Sequence, residues 1–248
     1  MGEWIYGRRT VAEHLKEAPA TCRRLVFACG RPPPEEILAA ARALGLEAEE
    51  VEAGRLDRLA RGGNHQGVCL EVGGWSYAAL EDLTARAKTP GRFPVLLLLD
   101  VVQDPRNLGA ILRVADGAGV AGVVIPKDRA AGLTAAVART AAGALASVPV
   151  AQVVNLARAL RELEEEGFFV LGASGDASGS LFETQLQFPC ALVLGGEHKG
   201  LRRNVAAQCR ALASIPMAGT VASLNVAVAS GVFCYELLRR FRAESNAP

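Results

Sequence analysis

Residues 95–100 of this 248-residue chain read VLLLLD, and that run constrains the fold more than any other segment. Five apolar residues with no polar alternation predict a strand covered on both faces, as in a parallel sheet flanked by helices. The segments that follow keep to that plan. NLGAILRVADGAG predicts a helix, GVVIP a strand, LTAAVARTAAGA a helix and VPVAQV a strand. LARALREL predicts a helix, FFVLGAS and CALVLGG two strands, and a long helix runs from about Leu224 to Arg242. Strands alternating with helices imply an α/β domain with a mainly parallel sheet.

The N-terminal part predicts a smaller α/β unit. TVAEHLKEA reads as a helix opened by Thr10, RLVFA (24–28) as a strand, and PPEEILAAARALG as a helix with acids in its first turn that stops at Gly45. AGRLDRLA reads as helical and QGVCLEV (66–72) as a strand. Gly73-Gly74 ends the unit, SYAALEDLTARA is helical, and KTPGRFP marks a boundary. These signals divide the chain into 1–73, a linker at 74–91, and 92–248.

Composition bounds the function. Half the residues are hydrophobic and 21% are charged, which suits a globular protein with a core. The longest strictly apolar run is far too short to cross a bilayer, and MGEWIYGRRT carries no apolar signal core, so no membrane association and a cytoplasmic location are expected. The six cysteines include no CxxC pair and read as buried thiols in a reducing compartment. The three histidines are too dispersed for an HExxH site, so no metal is expected. A net charge of +1 excludes a globally basic nucleic-acid binder but leaves room for a local patch. Arg8, Arg9, Arg23, Arg24 and Arg31 are concentrated near the N-terminus and read equally as a solvated face or a phosphate-contacting surface.

A literal GxGxxG at Gly117, Gly119 and Gly122 is in the wrong context for a dinucleotide site. That fingerprint follows a strand and opens a helix, whereas these glycines close a helix and precede a strand. They read as a helix C-cap and a tight turn. The remaining polar clusters lie at the C-terminal ends of strands, where open α/β sheets bind ligands. QDPRNLGAILRVAD places Asn107 near a helix start, either as a plain N-cap or as a site residue in the preceding turn. Arg113, six residues on, is not on the same helical face. In LVLGGEHKGL (192–201), a buried strand ending in Leu194 runs into Gly195-Gly196, which lets backbone amides approach a ligand, and Glu197 follows. In SIPMAGTVASLNVAVASGVFCYELLRR (214–240), Ile215, Pro216 and Met217 form an apolar loop suited to an adenine ring. Ser223 and Asn225 then start a helix whose small residues, 226–231, suit either a packed core helix or a contact with a second subunit.

Taken in order, NLGAILR (107–113), LVLGGEHKGL (192–201) and IPMAGTVASLNVAVA (215–229) resemble the SpoU (TrmH-like) family of 2'-O-ribose RNA methyltransferases, in the SPOUT or α/β-knot class. IPKDRAAGL (125–133), YGRRTVAEHL and NHQGV are similar to the bacterial subgroup that modifies a guanosine of 23S ribosomal RNA. The resemblance implies a trefoil-knotted domain, S-adenosylmethionine (SAM) as cofactor, a homodimer, and a small N-terminal RNA-binding domain. It implies that Leu194, Gly195, Gly196, Ile215, Pro216, Met217, Ser223 and Leu224 line the SAM site. Asn107, Arg113, Glu197, Ser223 and Asn225 would form the reactive cluster, and Arg8, Arg9, Arg23 and Arg239 would contact RNA. Two departures stand out: Ala146 where relatives often carry a polar residue, and Arg8-Arg9 where small residues or histidine are common. A tRNA ribose methyltransferase and a non-catalytic ribosome-assembly factor are the competing readings.

Overall fold

The computed structural model describes residues 3–73, 75–196 and 200–245. In chain order the elements begin with β1 (Glu3–Tyr6), α1 (Arg8–Glu17), β2 (Cys22–Ala28), α2 (Glu35–Ala43), β3 (Glu47–Val51), α3 (Ala53–Leu59) and β4 (Val68–Val72). They continue with α4 (Leu80–Ala87), β5 (Val95–Asp100), α5 (Pro105–Ala118), β6 (Gly122–Pro126), α6 (Ala135–Ala141), β7 (Val150–Val153) and α7 (Leu156–Glu165). The last are β8 (Phe169–Ala173), β9 (Cys190–Gly195), α8 (Arg203–Ala206), β10 (Ala211–Ala213) and α9 (Val226–Ser245). Two compact units result: Met1–Ser76 with Leu133–Ala146, and Tyr77–Gly132 with Ser147–Pro248.

The first unit holds a four-stranded mixed sheet, order β1-β4-β2-β3, in which only the β2–β3 pair is parallel. Its core sets Ile5, Leu25, Val68 and Leu70 against Val11, Leu15, Ile37 and Ala41 of α1 and α2. Thr10 does not open α1; Gly7, at φ 91, precedes a helix that starts at Arg8. Strands β1 and β3 carry no apolar alternation to announce them. In EAEEV the glutamates line a sheet edge, where exposed charge is tolerated and blocks further strand pairing. Segment 133–146 folds with this unit: Thr134 caps α6, and the Ala135 N–H donates to Glu3 Oε2 at 2.7 Å.

The second unit is a six-stranded sheet, order β10-β8-β9-β5-β6-β7, and every neighbouring pair is parallel. Strands β5 and β6 are buried at every position, as an unbroken apolar run requires. Leu96, Leu98, Val124, Val170, Ala191 and Val193 pack with Leu83, Leu160 and Leu163 of α4 and α7 on one face. The opposite face is covered in part by α9, which packs on β9 and along α5. Gly119, at φ 73, is the left-handed C-cap of α5, so the glycine triad terminates a helix as expected.

Four of the six cysteines are buried, but Cys29 is exposed and Cys209 half-buried. Burial pushes Cys22 up to about 11 and Cys69, Cys209 and Cys234 up to about 12, which keeps these thiols protonated and unreactive. Among the described residues, no helix is long and apolar enough to cross a membrane.

Helix α9 is tied down near its end by a buried carboxylate. Glu236 accepts from Arg239 Nε at 2.8 Å and from Arg240 Nε at 2.7 Å, while Arg240 Nη1 donates to the Thr184 carbonyl at 2.6 Å. The hydrogen bond from Arg239, then that from Arg240, hold the Glu236 carboxyl at about 2, well below its ordinary 4.5. A depressed carboxyl stabilises the fold above its unfolded value and loses that contribution as pH falls through its folded value. Wild type should therefore melt above Glu236→Gln at pH 7, and the gap should narrow steadily as pH falls from about 4.5 towards 2; a gap independent of pH would contradict this network.

Candidate active site

The C-terminal ends of β5 and β9 lie side by side, with Asp100 paired in register with Gly195. Three loops leave this edge and carry the residues singled out in the sequence. After β5 the chain turns at Val101, whose φ of 63 places a β-branched residue in the left-handed region. Such a conformation costs about 1–3 kcal/mol and persists only where its surroundings enforce it.

Those surroundings are close backbone passages. A Cβ added to Gly196 would run into the Val101 carbonyl, and one added to Gly195 would run into the Gly200–Leu201 backbone. These positions are glycine because one chain segment passes against another there. Close passage of the chain is a second reason for glycine at these positions, beside the ligand approach expected from the sequence. Leu194 is buried at 1% exposure, between its strand neighbours Leu99 and Ala173.

A buried ion pair fastens the loop. Asp100, fully buried, accepts from the Arg202 backbone N–H at 2.8 Å and from Arg202 Nε at 2.7 Å. Neither residue stood out in the sequence. The signal was present as an acid closing an all-apolar strand, a position where burial demands a partner. Glu197 lies within the LVLGGEHKGL motif but outside the described residues; the side chain of Ala146 is likewise outside them.

Asn107 is neither an N-cap nor in the preceding turn. Asp104 caps α5, accepting from the Arg106 N–H at 2.8 Å, and Pro105 occupies the first helical position, which puts Asn107 inside the first turn. Asn225 is the residue that caps a helix. Its Oδ1 accepts from the Ala227 N–H at 2.9 Å and the Val228 N–H at 3.4 Å at the start of α9. With that oxygen committed to the helix, its amide nitrogen faces α5 and donates to Asn107 Oδ1 at 3.1 Å. One side chain thus ends one helix and joins it to the start of another.

The rest of the third motif is open. Ile215, Met217 and Leu224 are half-buried, and Pro216 and Ser223 are exposed, in the loop between β10 and α9. Ser223 sits two residues before the cap, outside the helix. The small residues of α9 pack on α5, with Gly231 facing Val114, so the core-helix reading holds for that face. Arg113 projects from α5 exposed, with no hydrogen-bond or ion-pair partner among the described residues. Arg239 is exposed but engaged by Glu236.

Asn225 therefore has two separable jobs. Asn225→Ala should lose the cap, about 1 kcal/mol, and lower Tm by roughly 2–4 °C. Asn225→Asp keeps an oxygen at the cap but loses the N–H that donates to Asn107 Oδ1, so it should melt between wild type and Asn225→Ala. Calorimetric melting of both variants checks this, and equal losses would contradict the capping geometry.

The description "SpoU rRNA Methylase family" matches residues 94–235, and "RNA 2'-O ribose methyltransferase substrate binding" matches residues 4–78. The chain is 41% identical, over 96% of its length and 98% of the relative, to 23S rRNA (guanosine-2'-O-)-methyltransferase RlmB of Shewanella oneidensis. It is 42% identical to the RlmB of Pseudomonas aeruginosa, over 97% of this chain and 98% of that one. The AdoMet-bound rRNA methyltransferase of Sinorhizobium meliloti superposes with a TM-score of 0.74 at 27% identity, covering 96% of this chain and 87% of that structure. The family models, the fold and these identities agree: the chain belongs to the SpoU rRNA methylase family.

Proposed function

We propose that this protein transfers the methyl group of SAM to the ribose 2'-hydroxyl of a guanosine in 23S ribosomal RNA. The observation that carries the reading is the meeting of the family's three motif regions at one sheet edge, with Asn225 of the third bonded to Asn107 of the first. Full-length similarity to RlmB enzymes supports the substrate.

The described residues fit SAM. Half-buried Ile215, Met217 and Leu224 leave apolar edges open for an adenine, and half-buried Gly195 and Gly196, just beyond buried Leu194 at the end of β9, carry no side chain of their own to keep a ligand off the backbone. Pro216 and Ser223 complete that lining. When bound, SAM supplies a methyl group activated by its sulfonium. Transfer to oxygen requires O, carbon and sulfur in line, and alignment of this kind contributes on the order of 7–11 kcal/mol in favourable systems. The Asn107–Asn225 pair holds two of the elements that frame the ribose. Arg113, exposed and without an ion-pair partner among the described residues, is placed to grip an RNA phosphate and to stabilise charge developing on the 2'-oxygen. A guanidinium is a poor general base, with a pKa above about 12, so this role is electrostatic. Glu197 and Ser223 complete the reactive cluster on the strength of the family motif.

The reading assigns RNA binding to 1–73, with Arg8, Arg9 and Arg23 as candidate contacts, and methyl transfer to 92–248 in the cytoplasm, Arg239 adding an RNA or subunit contact. It carries the family's trefoil knot and a homodimer. Exposed Val228 and Tyr235 on α9, at 55% and 53%, are apolar surface that a second copy would cover.

Incubation with methyl-labelled SAM and either 23S rRNA or tRNA, followed by digestion to nucleosides, tests the reading. Labelled 2'-O-methylguanosine from 23S rRNA alone is the expected result. Label in tRNA would favour the tRNA enzyme, and no label in either would favour a non-catalytic binder. Arg113→Lys should lower kcat about 10²–10³-fold with SAM affinity unchanged. Near-normal turnover by Arg113→Lys would remove Arg113 from the mechanism.

A further inference from the structure

The N-terminal unit carries an open cleft of about 590 Å³ lined by Arg8, Arg31, Asn64, His65, Gln66 and Gly67. Three segments meet there: the start of α1, the turn after β2, and the loop between α3 and β4. Every side chain lining it is polar, and the only charges are two arginines and whatever His65 contributes.

Four arginines elsewhere in the unit are neutralised: Arg9 by Glu13 at 2.8 Å, Arg24 by Glu71 at 3.1 Å, Arg55 by Glu49 at 2.6 Å, and Arg42 by Glu35. Arg8 and Arg31 have no carboxylate partner among the described residues. Arg8 is instead steered: its Nε donates to the Gln66 carbonyl at 3.2 Å, and its backbone N–H donates to Gln66 Oε1 at 3.0 Å. These contacts orient the guanidinium and leave its charge uncompensated.

The loop beneath is held in one shape. Gln66 has φ 52 and Gly67 φ 82, and Tyr6 fills the space where a Cβ on Gly63 would stand. The Gly67 N–H donates to His65 Nδ1 at 3.0 Å, which leaves the ring proton on Nε2, facing Asp57 Oδ1 at 3.2 Å. A rigid, polar concavity with two forked cations and amide groups suits phosphodiesters, with Asn64 free to meet a base or sugar edge. It offers no apolar anchor of the kind a protein partner's hot spot needs.

We propose that this cleft grips the phosphate backbone of the RNA substrate through Arg8 and Arg31. The proposal rests on the RNA-methyltransferase reading, keeps Arg8 as an N-terminal contact, adds Arg31, and sets aside Arg9, which Glu13 pairs.

Filter retention of in vitro transcribed 23S rRNA by the full chain, across about 50–300 mM KCl, tests it. Each phosphate neutralised adds about 0.7–0.9 to the slope of log K against log salt. Arg8→Ala/Arg31→Ala should therefore flatten that slope by about 1.4–1.8 and raise KM for RNA, with Tm and SAM affinity unchanged. Arg8→Lys/Arg31→Lys should keep most of the slope, and Arg42→Ala should match wild type. An unchanged slope in the alanine pair overturns the proposal, as does equal competition by polyglutamate, which would mark a general polyanion surface. If wild type transfers methyl groups and the alanine pair keeps its slope, the cleft fails alone. If wild type transfers none but the slope still flattens, the enzymatic reading fails and the cleft stands.

Discussion

The site depends on one buried carboxylate. Asp100 closes the central strand β5 in an environment that would expel an unpaired charge, and Arg202, 102 residues later, supplies both a guanidinium and a backbone N–H. Loss of one partner from a buried pair typically costs about 3–5 kcal/mol, though Arg202 is 40% exposed, which moderates that figure here. The pair does more than stabilise. It ties the segment after β9 to the end of β5, so the Gly195-Gly196 backbone is pressed against Val101 on one side and Gly200–Leu201 on the other. Val101, at an unfavourable φ of 63, turns the chain where the Gly196 backbone passes it. A loop built this way presents backbone groups from a fixed frame, which is what recognition of a cofactor without large conformational change requires.

A second link sets the reacting edge. Helix α5 begins beside β5, and α9 begins at the end of an open loop, so neither start would be fixed relative to the other by strand pairing. Asn225 solves this by capping α9 with its oxygen while its nitrogen bonds Asn107. Packing along the two helices, with Gly231 over Val114, keeps the axes close enough for that bond. Asn107 and Asn225 therefore sit at helix starts, stiff places in an α/β domain from which to aim a side chain.

Much of this was legible in the sequence. The parallel sheet followed from VLLLLD and the alternation after it, because strands buried on both faces cannot hide their apolar runs. Gly119 as a helix C-cap followed from its place before a strand. Strand β3 was not legible: EAEEV has the charge of a surface loop, and only pairing with β2 makes it a strand. Strand β10 is three residues long and carries too little pattern to be read. At the candidate site, tertiary contacts decide what each motif residue does in the fold. Asn107 gave up the cap to Asp104, Gly195 and Gly196 proved to serve close packing of the chain, and Asp100–Arg202 joins residues whose partnership no local spacing announces. The cationic surface was legible only as a cluster of arginines, since local sequence does not say which of them a distant glutamate neutralises.

The most direct test of the account is calorimetric titration of SAM into wild type and Asp100→Asn, with melting curves taken to confirm that both are folded at the titration temperature. The account predicts saturable SAM binding by wild type, and affinity weakened at least about tenfold in folded Asp100→Asn because the loop is no longer held, a change of about 1.4 kcal/mol. No binding by wild type, or undiminished binding by the folded variant, would contradict it.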